Sequence, residues 1–342
     1  MQSEKTLSIC VAIYNVKNFL PESLNSLKKI PLRDLEFILV DDGSTDCSLK
    51  ICEKFAKEDS RFKVFSHQKN RSLIQARNTG INHSTGKYII FLDGDDKLAS
   101  NEIIKLYNEL LVLEEDIVFF GTSCFGENEG VVSQYNDYFL IKVDLNTTDF
   151  ASLPILFFQE RSIPWNVIGK AYKREVLSKV QQHIGSLYIT SGEDAFLNFL
   201  ITLYAKSLIS LPYVVYKYRV GFGISNGEES IDSFRQHARD VLIVKYLSAI
   251  LNALDVNVNQ YCLVLSALQK HLEFNTIKRY LKLPFENKRK ARKLLFYSGY
   301  KRKRILELCV KFYLISFMKF FIPKHIVLKN SLYRKIKKYI YR

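Results

Sequence analysis

Two short acidic segments carry the most chemistry in this chain: Asp41-Asp42-Gly43-Ser44-Thr45-Asp46 and Asp93-Gly94-Asp95-Asp96. Each follows a largely apolar run, Leu35–Val40 in one case and Tyr88–Leu92 in the other, so each reads as the turn that ends a buried strand. Carboxylates gathered at one sheet edge repel one another unless a cation or a donor-rich ligand compensates them, and hard divalent ions take carboxylate oxygens. A calcium loop does not fit: counting from Asp93, Leu98 stands where the required Gly belongs and Ile104 where the closing Glu belongs. Mg²⁺ or Mn²⁺ bridging a diphosphate fits better. The competing reading of the first segment is a capped turn, with Thr45 or Asp46 opening the next helix. A third acidic pair, Glu193-Asp194, precedes the apolar stretch Ala195–Ala205. It reads either as a proton-accepting group or as acidic residues favouring a helix N-terminus after Ser191.

Other site chemistries are excluded by what the sequence lacks. The turn after the first apolar run is Tyr14-Asn15-Val16-Lys17-Asn18, without GxGxxG, and no GxxxxGK[ST], HxxxH or GxSxG pattern occurs. The six cysteines form no CxxC pair and follow no secretory start, which points to a reducing cytoplasm and to cysteines acting as small buried hydrophobes.

The elements that must position the acidic turns alternate between strand and helix. Leu7–Ile13, Leu35–Val40, Phe62–Phe65, Tyr88–Leu92 and Ile117–Phe120 read as strands. Between them, Phe19, Leu20, Leu24 and Leu27 recur at helical spacing, Ile51, Phe55 and Ala56 share a face, and Ser72–Ser84 and Asn101–Leu113 read as helices. Repeated βαβ units predict an α/β fold with a doubly wound, mostly parallel sheet whose ligands bind beyond the carboxyl ends of the strands. Residues 121–220 are less regular, with a strand at Tyr213–Tyr218. From about Ile231 the pattern is all helix, with Leu242, Tyr246 and Ile250 on one face and Leu265, Leu268 and Leu272 on another.

Charge divides the chain as the elements do. The 342 residues carry a formal +15, yet the segment from Lys278 onward holds 21 Lys+Arg against 2 Asp+Glu, a net +19, which leaves −4 for residues 1–277. Cations there interleave with Phe296, Tyr297, Tyr300, Phe312, Tyr313, Phe317, Phe320, Phe321, Tyr333, Tyr339 and Tyr341, a pattern suited to helices lying in an anionic headgroup layer. A basic helical bundle with its aromatics turned inward is the structural alternative, and nucleic acid is the weaker choice of partner. The most apolar window, Ile305–Ile322, carries Glu307, Lys311 and Lys319, so no membrane-spanning helix is expected.

Four motifs taken in order, Leu7-Ser8-Ile9-Cys10-Val11-Ala12-Ile13-Tyr14-Asn15, Val40-Asp41-Asp42-Gly43-Ser44-Thr45-Asp46, Ala76-Arg77-Asn78-Thr79-Gly80-Ile81 and Phe91-Leu92-Asp93-Gly94-Asp95-Asp96, resemble the GT-A glycosyltransferases of family 2. Pro164-Trp165-Asn166 and Glu193-Asp194 resemble that family's acceptor-side pattern, and the resemblance covers roughly residues 5–220. Departures are Ala12 where Pro is usual and Arg71-Ser72-Leu73 where a Gly commonly follows Asn70; neither touches a carboxylate.

The resemblance implies an inverting transferase that moves one sugar from a nucleotide-diphosphate donor, UDP-linked by preference, to a glycan or lipid-linked acceptor, as in bacterial surface polysaccharide synthesis. Tyr14 and Asp41 or Asp42 would contact the base, Arg77 the nucleotide or its phosphates, Asp93 the ribose or sugar, and Asp95 a Mn²⁺ or Mg²⁺ ion. Asp194 would be the general base, with Glu193 as first substitute. Trp165 would be a sugar-stacking wall or a core tryptophan. Gln236-His237-Ala238-Arg239 is followed by Asp240, where processive synthases carry Trp, which favours single transfer. The expected layout is a GT-A domain over 1–225, with a nucleotide-sugar half to about 120 and an acceptor half after it. A helical region over 226–342 follows, ending in a membrane-associating tail from about 278 and placing the enzyme peripherally at the inner face of the cell membrane. The alternative is a non-catalytic membrane or nucleic-acid-binding protein on a degenerate transferase scaffold.

Overall fold

The computed structural model describes residues 5–139, 146–147, 153–160, 162–189, 192–221, 230–239, 242–256 and 258–310. Two compact units divide the chain: Met1–Ile189 with Glu193–Gly227, and Thr190–Gly192 with Glu228–Arg342.

In the first unit the chain runs β1 (Leu7–Ile13), α1 (Leu20–Lys28), β2 (Leu35–Asp41), α2 (Ser48–Glu58), β3 (Phe62–Ser66), α3 (Leu73–His83), β4 (Tyr88–Asp93), β5 (Lys97–Leu98), α4 (Ser100–Leu110), β6 (Ile117–Phe125), α5 (Glu129–Phe139), β7 (Asn146–Thr147), a π-helical turn (Ile155–Glu160), β8 (Lys170–Lys173), α6 (Arg174–Gln181), α7 (Glu193–Tyr204) and β9 (Leu208–Arg219). One sheet in the order β3-β2-β1-β4-β8-β6-β9-β5, with β7 on β9, joins the strands. β1, β2 and β4 are apolar almost throughout and buried, as strands covered on both faces must be. Leu20, Leu24 and Leu27 of α1 and Ile103, Leu106 and Leu110 of α4 belong to the core on one side.

Register brings the acidic turns together. Ile13 of β1 pairs with Asp41 of β2, and Ala12 pairs with Asp93 of β4, so both turns start at the carboxyl edge on either side of the Tyr14 turn.

The sheet is less parallel than the βαβ reading predicts. Strands β3-β2-β1-β4 are parallel, but β8, which that reading missed, lies antiparallel between β4 and β6. An antiparallel neighbour needs no helical crossover, so a four-residue strand can enter the sheet without the periodic signal of a βαβ unit. β6 also outruns its predicted end at Phe120: the pairing with β9 shifts register at Gly121 and continues to Phe125↔Arg219. The bulge lets a strand pass through polar Gly121-Thr122-Ser123 that would otherwise read as a stop.

The second unit contains α8 (Ile231–His237), α9 (Leu242–Ala253), α10 (Val258–Lys282) and α11 (Phe285–Tyr297). Phe234, Ile277, Tyr280, Ala291, Leu295, Tyr300, Ile305 and Leu308 form one of its cores. On α10 the predicted face of Leu265, Leu268 and Leu272 is buried. On α9 the buried stripe is Ile243, Val244, Leu247 and Leu251, one position away from the expected Leu242/Tyr246/Ile250 face, and Tyr246 is 47% exposed. That helix is apolar on most of its positions, so periodicity allows either face and packing selects one. Among the tail aromatics, Tyr300 is buried while Phe296 and Tyr297 are exposed; those from Phe312 onward lie outside the described residues. No described helix is long and apolar enough to cross a membrane. Of the cysteines, Cys10, Cys52 and Cys124 are buried as expected, whereas Cys47 and Cys262 are exposed.

Candidate active site

The turn after β2 is largely satisfied by its own backbone and by groups of neighbouring segments. Gly43 has φ 72°, and a Cβ there would stand 2.5 Å from the Lys69 carbonyl carbon, so only glycine fits. Asp41 Oδ2 accepts the Ser44 N–H at 3.1 Å, while its Oδ1 is buried without a partner. Asp42 Oδ1 accepts the Arg71 N–H at 2.9 Å and lies 2.6 Å from His67 Nδ1, whose other ring nitrogen is 2.9 Å from Thr79 Oγ1. Asp46 accepts N–H groups of Ser48 at 2.8 Å and Lys17 at 3.1 Å. Burial pushes the Asp46 carboxyl up, but those donors outweigh it and hold the group below its ordinary value. Asn15, at φ 54°, donates its N–H to Ser44 Oγ and accepts the Thr45 N–H, so the Tyr14-Asn15 turn is tied to the acidic turn; Tyr14 itself is 39% exposed at this edge.

The turn after β4 is held from β9. The Tyr216 hydroxyl donates to Asp96 Oδ2 at 2.6 Å and accepts the Asp93 N–H at 3.2 Å. The Arg219 N–H donates to Asp96 Oδ1 at 2.7 Å, and its Nε donates to the Asp95 carbonyl at 2.9 Å. The Arg219 guanidinium also pairs with Glu22 and lies over the Phe125 ring. Asp96 is therefore a buried anchor; burial and the neighbouring Asp93 and Asp95 push its carboxyl well up. Asp95 differs. Among the described residues no hydrogen bond or ion pair engages its carboxylate beyond its own backbone N–H, and burial followed by repulsion from Asp93 raises it to about 6.

A divalent cation fits this donor set. No cluster of three or more His, Cys, Asp or Glu side chains able to cage an ion occurs among the described residues. An open, destabilised carboxylate at Asp95 suits an ion held by one protein ligand with the remaining positions filled by phosphate oxygens and water.

Arg77 on α3 bridges the end of β4 and the start of α7. Its side chain is only 2% exposed, its Nη1 donates to Asp194 Oδ1 at 2.6 Å and its Nη2 to Asp93 Oδ1 at 3.2 Å. Arg77 is thus neither solvent-facing nor an open cation for phosphate: two carboxylates occupy its guanidinium, and its Nε is buried without a partner. Burial opposes the Arg77 charge, but Asp194, Asp93 and Glu193 more than restore it. Burial first, then Asp194, raises Glu193 to about 7. Burial and Asp194 also raise Asp93, against the pull of Arg77.

The Pro164-Trp165-Asn166 segment is braced through its carbonyls. Asn198 Nδ2 donates to the Trp165 carbonyl at 2.7 Å, Lys170 Nζ to the Asn166 carbonyl at 2.6 Å, and the Tyr172 hydroxyl to Asn198 Oδ1 at 2.9 Å. The Trp165 ring is half-buried, edge-on to Phe158 at 6.1 Å. Lys170, fully buried beside the Phe119 and Phe157 rings, is pushed down to about 7 by burial, with Asp194 acting in the opposite sense. Sequence reasoning missed Lys170, Tyr172, Asn198, His67 and Tyr216. The only signal for Lys170 is a lysine inside the apolar run Val167–Tyr172, and Tyr216 lies inside a predicted strand. Ser191, the expected cap of α7, lies outside the described residues.

Residues 8–177 match the Glycosyl transferase family 2 model. The glycosyltransferase GlyA of Streptococcus pneumoniae serotype 4 is 31% identical over 225 residues, 65% of this chain; the chain spans only about a third (32%) of GlyA's length. The fold is shared with S. aureus TarS 1-349 in complex with UDP-GlcNAc (19% identity, TM-score 0.53, 90% of each chain). It is shared too with the mannosyltransferase PcManGT of Pyrobaculum calidifontis in complex with GDP-Man and Mn²⁺ (16% identity, TM-score 0.53, 99% of this chain and 86% of that one). The matching segment and the shared fold converge: residues 8–177 form a glycosyl transferase family 2 domain.

Proposed function

We propose that the enzyme transfers one sugar, with inversion, from a UDP-linked donor to a glycan or lipid-linked acceptor of surface polysaccharide synthesis. The observation that carries this reading is the Asp93–Arg77–Asp194 bridge, which sets a donor-side carboxylate and an acceptor-side carboxylate on one buried cation beside the open Asp95. Tyr14 and the Asp41-Asp42 turn take the base, Asp93 the ribose or sugar hydroxyls, and Trp165 walls the acceptor side. Asp95 would hold Mn²⁺ or Mg²⁺, which supplies charge stabilisation to the departing diphosphate. Asp194 takes the acceptor hydroxyl proton as that oxygen bonds to the anomeric carbon, and the electron pair of the breaking C–O bond leaves with the diphosphate. Its side chain is 32% exposed, so it can meet an acceptor, whereas Glu193, pushed to about 7, holds a negative charge less firmly.

UDP release across a panel of nucleotide sugars, with and without metal, tests the reading. Asp194→Asn should lower turnover roughly 10²-fold or more while leaving UDP affinity nearly intact. Wild-type turnover by that variant at saturating acceptor would move the base elsewhere, with Glu193 next.

Peripheral attachment to an anionic membrane is the second half of the proposal. It is supported by Phe285 and Tyr297, each 88% exposed, and by exposed Arg289, Lys290, Arg292, Lys293 and Phe296 on the same helix α11. Cosedimentation of the full chain with anionic vesicles should weaken as salt rises, screening acting within about 8 Å at physiological ionic strength. Equal binding to neutral vesicles, or no effect of Arg289→Glu with Arg292→Glu, would sink it.

A further inference from the structure

We propose that Arg77 is a positioning residue for the general base: it pins one carboxylate oxygen of Asp194 and couples it to Asp93 on the donor side. The inference rests on the reading of Asp194 as the base and goes beyond it, since the resemblance gives Arg77 to the nucleotide or its phosphates.

Three features carry it. Arg77 reaches its partners from α3, Asp93 from the end of β4 and Asp194 from the start of α7, so one guanidinium ties together three elements spread over more than a hundred residues. A fork of fixed donors can span two carboxylates in this way; a lysine ammonium is a point charge. Second, only Oδ1 of Asp194 is engaged among the described residues, which leaves Oδ2 to receive a proton. Third, Arg77 is sealed from solvent while Asp194 is not, so the cation acts on the substrate through the carboxylate and does not touch it.

The charges facing Asp194 are Arg77, Glu193, Asp93 and Lys170, with the Tyr172 hydroxyl also nearby. Three carboxyls oppose two buried cations. Lys170 sits on carbonyl acceptors and makes no ion pair among the described residues, so Arg77 is the cation in direct contact with the base. Removing an opposite charge at contact distance raises a carboxyl pKa by about 1–3 units.

The test needs no knowledge of the acceptor. Asp194 is coupled to an amine with a water-soluble carbodiimide, to which the carboxyl oxygen adds with uptake of one proton before the amine displaces the urea, from pH 4 to 8 in chelator, and the labelled peptide is quantified by mass spectrometry. In Arg77→Met, labelling should persist to a pH about one unit or more above the wild-type limit. In Asp93→Asn, which leaves Arg77 to Asp194, the limit should move the other way; this variant decides the matter if Arg77→Met does not fold. Arg77→Lys should fall between wild type and Arg77→Met. Turnover with the donor found by the UDP-release panel is the second readout: Arg77→Lys should lower kcat roughly 10²-fold with UDP affinity within about twofold of wild type. Unchanged labelling limits in Arg77→Met and Asp93→Asn would overturn the proposal, as would loss of UDP affinity in Arg77→Lys with kcat retained. If the wild type releases UDP from no nucleotide sugar, the functional reading fails, and the labelling still decides whether Arg77 holds Asp194.

Discussion

The turns after β2 and β4 carry three aspartates each, flank the same strand and start at the same sheet edge, yet the protein treats them differently. In the first, Asp42 and Asp46 accept hydrogen bonds from Arg71, Ser48 and Lys17, His67 lies against Asp42, and Asp41 takes the Ser44 N–H. In the second, Tyr216 and the Arg219 backbone occupy Asp96, Arg77 occupies one oxygen of Asp93, and Asp95 is left with no partner beyond its own N–H among the described residues. A count of carboxylates therefore overstates the site. Chemistry is available where the fold stops supplying donors: at the Asp95 carboxylate in the second turn and, in the first, only at Asp41 Oδ1.

The strongest way to break this contrast is Asp95→Ala. Loss of an ion worth several kcal/mol of charge stabilisation should cost roughly 10²-fold or more in turnover and remove the metal dependence of UDP binding. Calorimetry of the folded variant showing unchanged UDP affinity, with and without Mn²⁺, would show that Asp95 is not the open group. The same substitution should leave the urea midpoint in chelator unchanged or higher, because no donor of another residue loses its acceptor and repulsion from Asp93 is relieved.

Asp42→Ala tests the opposite side. It strands the Arg71 N–H and His67 and should destabilise the fold by about 1–3 kcal/mol, read from the urea midpoint. Unchanged stability with lost UDP binding would mean that the first turn is as open as the second.

Asp46→Ala sharpens the comparison at its small end, at about 1 kcal/mol. The folded pKa of Asp46 is depressed, so its contribution is fully present above the ordinary aspartate value of about 3.9 and is lost as pH falls through the lower folded value. Wild-type and variant stabilities should differ at pH 6 and converge near pH 3 or below. A constant gap across that range would remove Asp46 from the set of tied carboxylates.

Much of this site is legible from local pattern. Apolar runs ending in Asp41 and Asp93 mark strands whose polar ends face a ligand edge, and Gly43 sits where the backbone of Lys69 leaves no room for a side chain. What local pattern misreads is partnership. Arg77 on a weakly amphipathic helix reads as readily as a surface residue, yet carboxylates 16 and 117 positions away draw it inside. β8 escapes notice because four residues with a lysine in front carry too little periodicity, and the lysine is tolerated only because backbone carbonyls of the adjacent loop accept its protons.

By itself the sequence determined the parallel βαβ half, the place of both acidic turns at the strand ends, and the separation of a near-neutral N-terminal segment from a basic helical region. Each of these depends on residue type and short-range spacing, which fold topology cannot alter. Only the tertiary structure decided that Asp42, Asp46 and Asp96 are internal acceptors, that Asp95 is open, that α9 turns Ile243, Leu247 and Leu251 inward, and that Arg77 joins Asp93 to Asp194. A carboxylate's availability is the balance between desolvation and the donors brought to it, and apart from the Ser44 and Ser48 N–H groups those donors come from positions tens to more than a hundred residues away.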